Sequence, residues 1–300
     1  MTSNNKIKLI THSGSFHADD VFACATLSLL LENKKQDFEV IRTRDMDVIK
    51  TGDYVFDVGC IYDADTNRFD HHQPGGAGKR DNGIEYSSFG LVWKKFGQEL
   101  CGSKESWERI ERRLCQPIDA GDNGQKISEA VYENVFPYEL HNTISIFLPT
   151  WKETDIDRDV VFLELVSQAK KILSREIVLA SHFEEGKGKV IDAYNNAQDK
   201  RVVVLDEHYS WKDILINFPE PLYVVSERED GTWSVHAVLA EPHSFKNRKD
   251  LPKSWAGLVN EEFAKVTGVE DAVFCHRSLF LAVARTKEGA IKLAELAINS

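Results

Sequence analysis

The sequence predicts an α/β protein: an N-terminal domain on a mainly parallel sheet, then a smaller C-terminal α+β domain. Two observations of the residues argue for α/β. Through residue 114, short β-type runs alternate with helix-type segments, as in a doubly wound sheet. A polar, charge-rich stretch at 149–159 then gives way to one long amphipathic segment and a series of strand-type runs.

In chain order, residues 6–11 (KIKLIT) read as a strand, and 20–32 follow with apolar residues at helical spacing. Residues 38–42 (FEVIR) are a second strand candidate. Residues 54–58 (YVFDV) form the continuous apolar run of a strand covered on both faces. Segments 87–96 and 105–114 look helical, and 160–183 reads as one long helix. Strand candidates beyond it are 201–205, 222–226, 233–239 and 272–275, before a final helix at about 288–298. The expected division is a first domain at 1–150, a linker and connecting helix at 151–185, and a second domain at 186–300.

Composition narrows the class. With 42% hydrophobic residues in 300, there is ample material for a core. No apolar run approaches the roughly 18 residues of a membrane helix. The start, MTSNNKIKLITH, lacks the pattern of a secretory signal, so a cytoplasmic protein without a membrane partner is expected. Five cysteines, an odd number with no Cys-x-x-Cys, point to reduced thiols rather than a disulfide framework. The formal charge of −11 argues against a grip on long duplex DNA. It leaves phosphate substrates open, because bound divalent cations reverse the field locally.

Three segments end alike. KIKLIT leads into His12, YVF into Asp57, and Asn67-Arg68-Phe69 into Asp70-His71-His72. Ligands of open α/β sheets sit beyond the carboxyl ends of the strands, so these ends could converge. The first is the richest, with His12, His17, Asp19 and Asp20 within nine residues. One aspartate could cap the following helix. All four polar groups together suit a transition-metal ligand set. Asp57 interrupts an apolar strand and is the best candidate to bridge two metals. A fourth segment, Ile118-Asp119-Ala-Gly-Asp122-Asn123-Gly124, reads alone as a turn. The loop 74–80 (PGGAGKR) is not a P-loop, but Lys79 and Arg80 could face substrate phosphate as part of a lid. Arg42 and Arg44 read as exposed more readily than as phosphate ligands.

These motifs resemble the DHH phosphoesterases, and most closely the melanocyte-proliferating-gene exonuclease branch. THSGSFHADD, FDVG, FDHHQ, IDAGDNG, EPHSFKNRKDLPKSWAGL and RTKEGA carry the resemblance along nearly the whole chain. It implies a catalytic, metal-binding DHH-type domain on the mainly parallel sheet, a smaller substrate-binding C-terminal α+β domain and the active cleft between them. It implies one metal on His12, His17 and Asp57, and another on Asp19, Asp57, His71 and Asp122, with Asp119 competing for the last place. It also implies a phosphate contact for His72. His17 stands where related enzymes carry an aspartate. Arg248, Lys249, His276 and Ser278 match substrate-binding blocks, although 281–284 (LAVA) stands where relatives tend to carry a glycine pair.

The implied activity is two-metal hydrolysis of phosphodiesters, as a 3′–5′ exonuclease on RNA or short oligoribonucleotides, with catalytic roles for His72 and Asp57. Two divalent ions per site are expected, Mn²⁺ first, with Mg²⁺, Zn²⁺ or Fe²⁺ as alternatives. A homo-oligomer is compatible with this reading. A pyrophosphatase or (cyclic di)nucleotide phosphodiesterase is a rival on the same scaffold. A non-catalytic, metal-stabilised RNA-binding protein is a rival of another class.

Overall fold

The computed structural model describes residues 6–242 and 244–300. The chain is α/β and divides into two compact units, Met1–Ser181 and His182–Ser300, each with its own mixed sheet.

In the first unit, β1 (Ile7–Thr11), α1 (Ala18–Asn33), β2 (Phe38–Arg42), a short α2 (Met46–Ile49) and β3 (Tyr54–Phe56) alternate as expected. Two short strands follow, β4 (Tyr62–Asp63) and β5 (Arg68–Phe69). The sheet order is β2-β1-β3-β5-β4, parallel except for β4 at the edge. This order matters for the site. It makes β1, β3 and β5 adjacent and co-directional, so the residues after their last positions leave the same edge of the sheet, roughly 5 Å apart per strand. The run of apolar residues in α1 is explained by burial on nearly every side. It packs against α3 (Ser88–Cys101) through Phe22 and Phe89, whose ring centroids are 5.4 Å apart.

The helix expected at 105–114 is divided. It becomes α4 (Lys104–Ile110), a π-helical stretch (Glu111–Cys115) and α5 (Gln116–Asp122). Pro117 offers no N–H to a preceding carbonyl, which favours the wider turn just before it. A short α6 (Leu140–Ser145) precedes α7.

Helix α7 (Arg158–Asn196) is longer than the 160–183 expected from periodicity. Gly186 and Gly188 each cost about 1 kcal/mol in a helix interior. Burial of Val190 in a core that also takes Ile191 and Tyr194 offsets that cost. Phe162, Leu165, Val166 and Leu173, nearer its start, belong to the core of the first unit.

The second unit contains β6 (Val202–Val204), α8 (Lys212–Leu215), β7 (Tyr223–Glu227), β8 (Trp233–Ala237), α9 (Asn260–Thr267), β9 (Ala272–Cys275), β10 (Leu281–Ala284) and α10 (Lys287–Ile298). Its sheet order is β6-β7-β8-β10-β9, with only the β6–β7 pair parallel. Side chains alternate across it. Tyr223 and Val225 enter one core and Val224 the other. The 281–284 run is therefore strand β10, an interior strand of the sheet. No helix among the described residues is long and apolar enough to cross a membrane.

Candidate metal centre

The loop from β1 to α1 carries His12 and His17, with Gly14 at φ +98°, a backbone state that favours glycine. Arg42 holds this loop in place. Its guanidinium lies 5.7 Å from the Phe16 ring centroid and 4.5 Å from that of Phe162. It donates to Gly14 O at 3.1 Å and pairs with Asp159 Oδ1 at 2.6 Å. Its side chain is only 2% exposed, which corrects the expectation of exposure. Arg44 is exposed as expected, and its Nε donates to Ser13 O at 3.1 Å.

Asp57 follows β3 in the left-handed region, at φ +54°, a costly state for a residue with a side chain. Its carboxylate meets two imidazoles from the neighbouring strands. Oδ2 is 3.0 Å from His12 Nε2, and Oδ1 is 3.3 Å from His71 Nε2. His71 Nε2 also lies 3.2 Å from Asp122 Oδ2 and 3.8 Å from Asp19 Oδ2. Donor atoms of His12, His17 and Asp57 lie within 4.8 Å of one another. The same holds for Asp57, His71 and His72, and for His17, Asp19 and Asp122. The structure thus brings together every residue named as a ligand except the competitor, Asp119. It groups them differently, placing His17 with Asp19 and Asp122 as well as with His12 and Asp57.

Asp119 is committed elsewhere. Its Oδ2 accepts from Arg80 Nη2 at 2.7 Å, and its Oδ1 accepts from Ser87 Oγ at 2.6 Å and from Gly90 N at 3.0 Å. Arg80 also pairs with Glu111, and its guanidinium stacks on Tyr86 at 4.0 Å. Arg80, expected on substrate phosphate, is therefore a buried structural cation. Lys79 remains exposed.

Several groups support the ligands without having been singled out for that role. Asp70 Oδ1 accepts from the His71 and His72 backbone N–H groups at 2.7 and 3.1 Å, and pairs with His72 Nδ1 at 2.7 Å. Its Oδ2 accepts from Cys60 N at 2.6 Å. Asp20 does two jobs: Oδ1 accepts from His17 N at 2.9 Å at the start of α1, and Oδ2 lies 3.3 Å from His12 Nε2. Ser88 Oγ donates to Asp57 Oδ1 at 3.2 Å, and Ser88 N to Asp19 Oδ2 at 3.3 Å. His141 stacks near His17, with ring centroids 6.5 Å apart and planes 17° apart. The Asp70 position was visible beside the His pair. Ser88 and His141 gave no comparable signal, because tertiary packing alone brings them here.

The electrostatics show why a cation would suit this cluster. Burial, then the charges of Asp57, Asp122 and Asp20, pushes Asp19 well above the carboxylate range. Burial would raise Asp57 too, but hydrogen bonds and charge from His12 and His71 hold it well below. Burial pulls His12 down, and Asp20 and Asp57 outweigh it to carry His12 up to about 10. Asp19 Oδ1 is buried with no hydrogen-bond partner among the described residues. Buried carboxylates clustered this way are costly unless positive charge joins them. Imidazole mixed with carboxylate fits a divalent transition metal. Beside the ligands lies a pocket of about 280 Å³ lined by His12, His17, Arg44, Asp57, Asp70 and His72 among others.

A family model described as Uncharacterised protein family (UPF0160), MYG1_exonuc, matches residues 8–298. The chain belongs to this MYG1 family. A MYG1 protein of Schizosaccharomyces pombe is 29% identical over 323 aligned residues, which cover 99% of this chain and 98% of its own length. The MYG1 protein of Dictyostelium discoideum is 30% identical over 325, covering 98% and 97%. The MYG1 exonuclease of Homo sapiens is 30% identical over 334, covering 95% and 84%.

The MYG1 match spans both units, so the residues expected to bind substrate in the second unit are also placed. Arg248 donates to Ile216 O at 2.7 Å and Pro221 O at 3.1 Å, and also to Phe218 O. Lys249 Nζ donates to Ile298 O at 2.7 Å and Ser300 O at 3.0 Å. Both cations tie backbone segments together instead of standing free for phosphate. His276 Nδ1 accepts from Ser278 N at 3.0 Å, and Ser278 lines a pocket.

Proposed function

We propose that this chain is a metal-dependent phosphodiesterase of DHH type, acting as a 3′–5′ exonuclease on short RNA. The observation that carries this reading is the overlap of three donor groups, Asp57 linking the first to the second and His17 the first to the third. Overlap of that kind would suit two ions, with Asp57 offering a carboxylate oxygen to each. The printed name of the human relative, an exonuclease, supports the same class.

In this reading His12, His17 and Asp57 hold one divalent ion, and Asp19, Asp57, His71 and Asp122 the other, Mn²⁺ being the first choice. Bound there, the ions supply an activated water and the positive charge that phosphodiester hydrolysis needs. The remaining work falls to the chain. Asp70 holds His72 by Nδ1 and helps raise its pKa, so His72 is suited to donate a proton toward the phosphate or the leaving oxygen. His71 is fixed at its backbone by Asp70. Ser88 orients the bridging carboxylate. Lys79, on the exposed loop, offers charge to substrate phosphate. The acidic net charge suits a short strand better than a long duplex.

The test is product analysis of a short 5′-labelled RNA with Mn²⁺, beside Asp57→Ala. A ladder of 3′-shortened products from the wild type alone is expected. Absence of cleavage by folded protein with any divalent metal contradicts the nuclease reading.

A further inference from the structure

Asp119 stands outside the three donor groups, yet its buried carboxylate sits where the segments carrying several ligands meet. We propose that Asp119, locked by Arg80, is a positioning residue for the metal centre. Through Ser88 and helix α5 it sets the places of Asp19, Asp57 and Asp122, the carboxylates assigned above to one ion.

The first link is a helix cap. The first turn of α3 presents backbone N–H groups that a serine at position 87 would ordinarily accept from. Here Ser87 Oγ donates to Asp119 Oδ1 at 2.6 Å, and the same oxygen accepts from Gly90 N at 3.0 Å. A carboxylate from α5 therefore caps α3 in place of the local serine. Gly90 lets that carboxylate in, because a Cβ there would stand 1.8 Å from Asp119 Oδ2. Arg80 Nη2 fixes this second oxygen at 2.7 Å, and Arg80 is itself held by Glu111 and the Tyr86 ring. Both oxygens of Asp119 are committed.

The second link runs from the capped turn to the ligands. Ser88 lies between Ser87 and Gly90, the two residues that Asp119 holds. Its Oγ donates to Asp57 Oδ1 at 3.2 Å and its N–H to Asp19 Oδ2 at 3.3 Å. A shift of this turn disturbs both carboxylates at once. The third link is α5 itself, in which Asp122 follows Asp119 by almost one turn. Asp122, Asp57 and Asp19 converge on His71 Nε2, at 3.2, 3.3 and 3.8 Å. His12 and His17, which complete the other ion's set, flank the loop that Arg42 braces. Loosening Asp119 should therefore weaken one ion more than the other, which a general loss of packing would not do.

The proposal rests on the two-ion reading above. The test is calorimetric titration of the full chain with Mn²⁺, with circular dichroism to show that each variant is folded. It is run anaerobically at pH 8, above the value of about 7 to which burial raises Asp119. Wild type should take up two ions. Asp119→Asn keeps the shape of the side chain but loses the charge facing Arg80. It should bind one ion as wild type does and the other roughly tenfold more weakly or worse. Ser87→Ala removes one donor to Asp119 and leaves both charges in place, so it should weaken the same ion by a smaller factor even if Asp119→Asn does not fold. A double-mutant cycle reads the path. In a Ser88→Ala background, Asp119→Asn should cost clearly less affinity than in wild type. Equal weakening of both ions, unchanged affinities in the folded variants, or the same Asp119→Asn effect with and without Ser88 overturns the proposal. Uptake of fewer than two ions by wild type overturns the two-ion reading and this proposal with it. Two ions in wild type and no selective loss in the variants overturns this proposal alone.

Discussion

Arg80 Nη2 donates to Asp119 Oδ2 at 2.7 Å, with the arginine side chain 7% exposed and the aspartate fully buried. Removing one partner strands the other charge in the interior. Arg80→Ala should therefore destabilise the protein by about 3–5 kcal/mol. Urea unfolding of wild type and variant checks this. A stability within about 0.5 kcal/mol of wild type, together with a raised KM for RNA, would restore Arg80 to the substrate-binding role that its sequence position suggested.

Asp19 is pushed upward by burial and by neighbouring carboxylates, so its charge opposes the metal-free fold and favours the metal-bound one. In EDTA, Asp19→Asn should be at least as stable as wild type, with a gain of up to roughly 1–3 kcal/mol. With saturating Mn²⁺ the order should reverse, because the wild type gains more from binding. Thermal unfolding in the two buffers reads both effects. A variant that loses stability in EDTA and gains as much from Mn²⁺ as wild type contradicts a ligand role.

The parallel sheet and the convergence of its strand ends were legible because His12, Asp57 and His71 each lie just past a strand-type segment, and the three strands end at the same edge. Asp122 and Asp119 were not separable, since both lie in one short segment and only the buried Arg80 distinguishes them. Ser88 and His141 reach the site through packing of α3 and α6, which no local spacing encodes. Arg248 and Lys249 misled for a related reason. A basic pair reads as phosphate-binding, yet here backbone carbonyls distant in sequence take the donors. Strand β10 was missed as a strand because its four residues, LAVA, carry no alternation to distinguish them from a helix fragment.

His236 gives the second unit a pH dependence of known sign. Its folded-state value of about 4 lies below the ordinary 6.5, chiefly through burial. The unfolded chain therefore takes up the proton first. The contribution is whole above about 6.5 and is lost as pH falls toward 4, by at most about 3 kcal/mol. Unfolding free energies measured across this window should fall less steeply for His236→Gln than for wild type. Parallel curves for the two proteins would show that His236 titrates normally in the fold.

In the proposed reading Asp57 joins two ions in one centre. Low-temperature electron paramagnetic resonance of the chain titrated with Mn²⁺ tests it most directly. Wild type should bind two ions per chain and show the spectrum of a magnetically coupled pair. Asp57→Asn, which keeps the shape of the side chain but weakens it as a bridge, should lose that coupling. A single uncoupled ion in wild type, or a coupled pair that survives in Asp57→Asn, would contradict the account.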